Sequence, residues 1–230
     1  MQNIPVLSAR LLSALPYLKK GGSIIDVGTD HAYLPIYLVG KGISSRALAC
    51  DINRGPIDSA ARNVAAAGLC HQIDTLCTDG LHGTEEYAPD NVLIFGMGGE
   101  LIIRILSEAP WVKNESIGLV LQPMTRAPLL RAWLLENGFE IVGETITLED
   151  RYYQTIAARY CGKQEEYTQE ELLLGRLNIQ NNAPNFGGFV KHEIGVWEAI
   201  LRGKSRAIDA DTRDEERVLK FLNARLETLK

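Results

Sequence analysis

Ile24-Ile25-Asp26-Val27-Gly28-Thr29-Asp30-His31-Ala32-Tyr33-Leu34-Pro35 is the stretch that decides the fold of this 230-residue chain. A β-branched apolar run enters an acid, then a glycine that lets the backbone turn closely, then residues of helical period. A strand that hands over to a helix through such a loop is the opening unit of an α/β fold. A loop that clears a pyrophosphate wants G-x-G-x-x-G and no charge at its lip. Here Asp26 precedes Gly28 and Asp30 follows it, so the loop repels a pyrophosphate and suits a ligand that carries positive charge. Alone, Asp-x-Gly is also ordinary turn chemistry.

Outward from this unit, β-branched runs alternate with amphipathic stretches. The pattern predicts strands at Ser23–Val27, Ala47–Asp51, Ile73–Cys77, Val92–Phe95, Gly118–Gln122, Glu140–Thr147 and Tyr153–Ala158, with helices between the earlier ones. The last two, separated by Leu148-Glu149-Asp150-Arg151, read as an antiparallel hairpin at the sheet edge. Upstream, Leu7, Leu11, Leu12 and Leu15 recur at helical spacing until Pro16, which predicts a short helix over the sheet edge or the ligand mouth. After Cys161 no strand pattern remains. Glu170 to Gln180, Val190 to Arg202 and the stripe Val218, Phe221, Leu222, Arg225, Leu226, Leu229 predict a small helical domain interrupted at Asn181–Asn185. The division expected is residues 1–160 and 161–230.

Composition narrows the class. Apolar residues make up 46% of the chain, yet no run is long enough to span a bilayer, and Met1 to Arg10 lacks the pattern of a signal peptide. A cytoplasmic enzyme is expected. Cys50, Cys70, Cys77 and Cys161 form no CxxC pair, so buried free thiols are expected and no metal site. A net charge of −5 argues against indiscriminate nucleic-acid binding but leaves room for a local basic patch.

Three more strand ends carry chemistry. Asp51, in Ala49-Cys50-Asp51-Ile52-Asn53, lies where an acid holds ribose hydroxyls, or else caps the helix that starts near Pro56. Asp79, in Thr78-Asp79-Gly80, can accept from an adenine amino group. Acids at three successive strand ends favour a nucleoside ligand with cationic groups, such as S-adenosylmethionine, over a nicotinamide dinucleotide. Phe95-Gly96-Met97-Gly98-Gly99-Glu100 puts three glycines where a helix opens, giving close backbone approach to an acceptor. Gln122, before Pro123-Met124, either meets a base edge or caps a backbone group.

Read together, these loops resemble the bacterial tRNA (adenine(22)-N(1))-methyltransferase family, TrmK. The likeness rests on Asp26 to Pro35, Asp51-Ile52-Asn53-Arg54-Gly55-Pro56, Asp79-Gly80-Leu81, Gly96-Met97-Gly98-Gly99 and Gln122-Pro123-Met124. It implies a class I, Rossmann-like methyltransferase sheet with an edge hairpin, followed by a helical, coiled-coil-like domain that helps grip tRNA. It also implies S-adenosylmethionine as cofactor and N1 of an adenine in the D-arm region as acceptor. Asp26, Gly28, Thr29, Asp51, Ile52, Asp79, Gly80 and Gly96 are then expected at the cofactor. Asp30, His31, Gly96 and Met97 are expected at the chemistry. Gly98, Gly99, Gln122, Pro123, Tyr33 and Arg54 are expected at the substrate.

The absence of an Asn/Asp-Pro-Pro-Tyr/Phe acceptor motif speaks against an exocyclic amine and for a ring nitrogen. His31 as proton acceptor or helix cap, and Tyr33 as stacking or packing residue, stay open. Basic candidates for the RNA surface are Arg10, Lys19, Lys20, Arg54, Lys191, Arg202, Lys204 and Arg206. The chain is expected to act as a monomer. A different methyl acceptor, or a SAM-sensing RNA-binding protein without catalysis, are the competing readings.

Overall fold

The computed structural model describes residues 4–206 and 211–229, so the first three residues of the stretch read for a leader lie outside the described residues. It contains one seven-stranded sheet: β1 (Ile24–Val27), β2 (Ala47–Asp51), β3 (Ile73–Cys77), β4 (Asn91–Met97), β5 (Gly118–Pro123), β6 (Phe139–Leu148) and β7 (Tyr152–Tyr160). Their order across the sheet is β3-β2-β1-β4-β5-β7-β6. Five strands are parallel, and β7 runs antiparallel to both β5 and β6. The order reverses beside β1, which places a crevice outside the carboxyl ends of β1 and β4. All four residues of β1 are buried, as are Val92 to Phe95 of β4. Burial on both faces explains why these strands read as continuous apolar runs rather than as alternation.

The helices α1 (Ala9–Leu12), α2 (Tyr33–Gly40), α3 (Arg54–Ala66), α4 (Gly99–Ser107) and α5 (Ala127–Glu136) belong to this unit. At the amino end the leucine pattern gives one α-helical turn, α1, and a 3₁₀ turn at Leu15–Tyr17 with Pro16 inside it. The proline lacks the N–H that would continue the helix. This segment is sewn to the antiparallel edge: the Ser13 hydroxyl lies 2.6 Å from that of Thr155, Tyr17 bonds Thr145, and the Tyr17 ring covers Gly143, where any Cβ would collide with it. A buried ion pair fastens α5 to the same edge. Arg131 Nε donates to Glu144 Oε1 at 2.7 Å, and its guanidinium also donates to Gln154 Oε1 at 2.8 Å.

The chain divides into two compact units, Met1–Glu166 and Tyr167–Lys230. The second holds α6 (Gln169–Leu174), α7 (Arg176–Gln180), α8 (Phe186–Lys204) and α9 (Arg213–Glu227). Thr168 and Glu171 form a reciprocal capping box at the start of α6. The single helix predicted over Glu170 to Gln180 is broken at Gly175, whose φ of +87° is outside helical space. Phe186, Phe189 and Val190 of α8, with Val218 and Leu222 of α9, are buried.

The cysteine expectation needs correction. All four thiols are free, but only Cys50 is buried; Cys70 and Cys77 are exposed and Cys161 is half-buried. Cys70 follows the end of α3, and Cys77 is the last residue of the edge strand β3, its thiol donating to the Ile52 carbonyl at 3.5 Å.

Candidate active site

The loop after β1 is anchored by β2, because the N–H groups of Gly28 and Thr29 both donate to the Cys50 carbonyl at 2.8 Å. Gly28 has φ +75°, a backbone conformation that other residues rarely adopt, and a Cβ there would meet the tip of the Met97 side chain from the β4 loop. Asp26 is 6% exposed. Burial pushes its carboxyl up to about 6, and the neighbouring Asp30 charge adds to the rise. The Cys50 thiol is pushed up to about 12, by burial first and by the charges of Asp26 and Asp51 next. Beyond Asp30 the backbone of His31 (φ +59°) and Ala32 (φ +56°) is left-handed at two successive non-glycine residues. Such positions cost on the order of 1–3 kcal/mol each and persist where surroundings impose them. Asn63 of α3 supplies part of that restraint, donating to the His31 carbonyl at 3.0 Å.

A cleft of about 560 Å³ opens over these strand ends, lined by Asp26, Gly28, Asp30, Tyr33, Asp51, Gly96 and Met97. Leu7, Ser8, Arg10 and Leu11 of the amino-terminal segment line it too. A smaller hollow of about 130 Å³, sharing Gly28, Asp51 and Met97, adds Ile52, Asp79, Gly80 and Arg104. A larger hollow of about 660 Å³ beside Phe139, Arg159 and Cys161 contains none of the strand-end acids. The expected cofactor residues are therefore brought together, apart from Thr29, which is buried behind the lip. Gly96 occupies a register shift between Phe95 and Met97, with φ +77° and open space where a Cβ would stand. Its backbone is thus turned out of the ladder toward the cleft.

The acids differ in how far they are engaged. Asp51 Oδ1 accepts from the Asn53 N–H at 2.7 Å, tightening the turn into α3. Asp79 receives both terminal nitrogens of Arg104, at 2.8 and 3.2 Å, and this guanidinium holds its carboxyl below the usual range. The Asp30 side chain is 86% exposed at the lip, 3.2 Å from His31 Nε2, and His31 stacks on the half-exposed Tyr33 with ring centroids 5.3 Å apart.

Several expected substrate residues lie elsewhere. Gln122 is fully buried: its amide donates to the Arg10 carbonyl at 3.0 Å and to Thr155 Oγ1 at 3.0 Å. Of its two readings, the backbone contact is the one realised, and a base edge cannot reach it. Pro123 is buried as the last residue of β5. Gly99 is buried with its N–H spent on the Thr125 carbonyl at 2.8 Å, and a Cβ there would press to 2.7 Å from the Arg126 carbonyl. Gly98 packs on Thr125. This glycine pair serves the close packing of α4 on the β5 loop, so of the three glycines only Gly96 lines the cleft. Arg54 is exposed at the start of α3 and does not line it.

Among the other basic candidates, Lys19 pairs with Asp90, Arg202 with Glu198 and Lys204 with Glu215. Lys20, Lys191 and Arg206 are exposed. Asn63 and Arg104 escaped the sequence reading, since neither lies at a strand end.

Known proteins share this arrangement. The family described as methyltransferase domain matches residues 7–156. A tRNA (adenine(22)-N(1))-methyltransferase of Bacillus subtilis is 32% identical over 97% of this chain and 95% of its own length. The structure of a putative tRNA (m1A22) methyltransferase from Streptococcus pneumoniae in complex with S-adenosyl-L-methionine superposes with a TM-score of 0.85 at 30% identity, covering 96% of this chain and all of that one. TrmK of M. capricolum, solved with S-adenosyl-homocysteine, superposes with a TM-score of 0.78 at 28% identity over 97% of each chain. With its sheet order, its cleft of strand-end acids and these relatives spanning both units, the chain belongs to the bacterial tRNA (adenine(22)-N(1))-methyltransferase family.

Proposed function

We infer that the protein transfers a methyl group from S-adenosylmethionine to N1 of an adenine in tRNA, at position 22 in the D-arm region. The observation that carries this reading is the convergence of Asp26, Asp30 and Asp51 on one cleft, with the glycine backbone of Gly96 facing into it. The residues fit the cofactor. A carboxyl raised to about 6 by burial is one that a cationic ligand would stabilise in its charged form. When bound, S-adenosylmethionine supplies a methyl group activated by its sulfonium.

Asp51 accepts from the ribose hydroxyls through the oxygen not used by Asn53. Asp79, already steadied by Arg104, would hold the adenine end of the cofactor, beside Gly80 and Ile52. Asp26 and Asp30 favour the positive end of the ligand. Adenine N1 attacks through an in-plane lone pair and loses no proton in doing so, so positioning dominates the rate. Positive charge then develops on the base, and the exposed Asp30 carboxylate at the lip stabilises it. His31, in contact with Asp30, helps to hold that carboxylate at the lip. The stacked His31–Tyr33 pair offers a face for a base withdrawn from its own stack. Met97 and the Gly96 backbone border the acceptor.

The acting unit in this reading is a monomer. Among the described residues no helix is long and apolar enough to cross a membrane, and none of their His, Cys, Asp and Glu side chains cluster to hold a metal ion. We place the enzyme in the cytoplasm, where its substrate resides, with the helical unit contributing to the grip on tRNA.

The test is incubation with labelled S-adenosylmethionine and tRNA lacking the modification, followed by mapping of the labelled nucleoside. Label at N1 of adenine 22 is expected. Absence of label in tRNA overturns the reading.

A further inference from the structure

α2 starts without an ordinary cap. Its N-cap is Ala32, whose side chain can accept nothing, and Ala32 at φ +56° follows His31 at φ +59°. Among the described residues these are the only two successive non-glycine positions in left-handed space. Two of the others, Asn182 and Asn185, are of a type that tolerates it through local hydrogen bonding. Alanine has no such means, so the turn must be held from outside.

The His31 carbonyl shows where the hold comes from. Winding α2 back by one residue would satisfy this carbonyl with the N–H of residue 35, but Pro35 has none. Asn63, on α3, supplies the missing donor: its side-chain amide lies 3.0 Å from the carbonyl in a partly buried contact. Upstream, the chain is pinned where the N–H groups of Gly28 and Thr29 meet the Cys50 carbonyl. Between and just beyond these two pins stand Asp30, exposed at the lip, and His31 stacked on Tyr33. Asn63 itself lines neither hollow of the site.

We propose that Asn63 is a positioning residue for methyl transfer: by satisfying the His31 carbonyl it holds the left-handed turn that sets Asp30 and the His31–Tyr33 pair at the acceptor side of the cleft. The inference rests on the reading of that lip as the place where the adenine is received. Without the amide, the turn relaxes toward conformations that His31 and Ala32 adopt at no cost, and the lip side chains move with it. Misplacing a reacting group by about 1 Å can cost up to about 100-fold in rate, so a small relaxation suffices.

Three variants of the full chain separate this role from plain packing. Asn63→Leu keeps the approximate shape and loses the donor, and Asn63→Gln keeps the amide on a longer stem. Ala32→Gly lifts the steric cost of the turn without restoring the donor. Asn63→Leu should lower kcat on tRNA about tenfold while S-adenosylhomocysteine affinity by calorimetry stays within about threefold. Hydrogen exchange over residues 29–36, followed by mass spectrometry, should quicken in the same variant. Asn63→Gln should retain part of the rate. Ala32→Gly alone should leave kcat within about twofold, and added to Asn63→Leu it should restore several-fold of the lost rate, because glycine enters left-handed space freely.

A lower melting temperature with kcat per folded site unchanged would mean that Asn63 only packs α3 on the loop, and the proposal falls. It falls equally if cofactor affinity drops as far as kcat, or if the double variant is no faster than Asn63→Leu. Wild type that leaves tRNA unlabelled overturns the reading of the lip by itself. Exchange over 29–36 that Asn63→Leu does not alter overturns the hold on the turn, whatever the activity. Should Asn63→Leu fail to fold, Asn63→Gln with and without Ala32→Gly carries the same comparison.

Discussion

Asp26, Asp51 and Asp79 could be read as a constellation because a strand-end acid can be placed from the strand pattern alone. What each does depends on burial, which the pattern does not give. Asp26 is buried and titrates near 6, while Asp30, four residues on, is exposed at the lip. The sign follows from the rise. The empty folded protein holds the Asp26 proton more tightly than the unfolded chain does, so this group's contribution to stability is complete below pH ~4 and is lost as pH climbs through about 6. A cationic ligand prefers the ionised carboxylate, so affinity for S-adenosylmethionine should rise with pH up to and just beyond 6, by at most about tenfold per pH unit, and then level. Calorimetry between pH 5 and 8 measures this, and Asp26→Asn should flatten the profile. Asp51→Ala should weaken the cofactor by about 10- to 100-fold. Asp30→Ala should weaken that affinity less than Asp51→Ala does and lower kcat about tenfold, a loss of ~1.4 kcal/mol in the transition state. Equal cofactor binding by wild type and Asp51→Ala would remove the ribose assignment. Gln122 and Gly99 were misplaced for a common reason: a polar or glycine residue at a strand end looks the same in sequence whether it faces a ligand or a neighbouring loop.

At the level of elements, β2 and β3 match their sequence boundaries, and the antiparallel pairing of β6 with β7 follows from the polar turn between them. Apolar runs bounded by turn residues are signals local to the chain. The amino-terminal segment carried no such signal of where it docks, since its partners Gln122, Thr145 and Thr155 are more than a hundred residues away. Neither did Arg131, which reads as a solvated helix charge and is fully buried. Its pairing with Glu144 predicts an asymmetry. Arg131→Met should cost about 3–5 kcal/mol in chemical denaturation, because it strands a buried carboxylate, and Arg131→Met combined with Glu144→Leu should recover much of that loss. Additive losses would show that the pair is not coupled in this way.

Across the whole molecule, a net charge of −5 must coexist with binding of a polyanion, and the distribution of pairs shows which cations are available. In the helical unit Arg202, Lys204, Arg213, Arg217 and Arg225 each meet a carboxylate. Lys191 and Arg206 are exposed with no such partner among the described residues. Lys191→Glu combined with Arg206→Glu should therefore weaken tRNA binding, and lower the slope of log affinity against log salt by about 2, while leaving cofactor affinity unchanged. Filter binding over a salt series reads both quantities. Strand periodicity stops near Cys161, and the second compact unit begins at Tyr167. The stitching of residues 10–17 to residues 122–155 has a last consequence, which concerns synthesis. One wall of the cleft is made early on the ribosome, but its bonds to Thr145 and Thr155 wait until the hairpin has emerged, and contacts so distant in sequence form late. A nascent chain halted before Thr155 carries every strand-end acid and still lacks the bonds that fasten this wall to the hairpin. Competence to bind the methyl donor is thus a property that the growing polypeptide acquires only with its final strand.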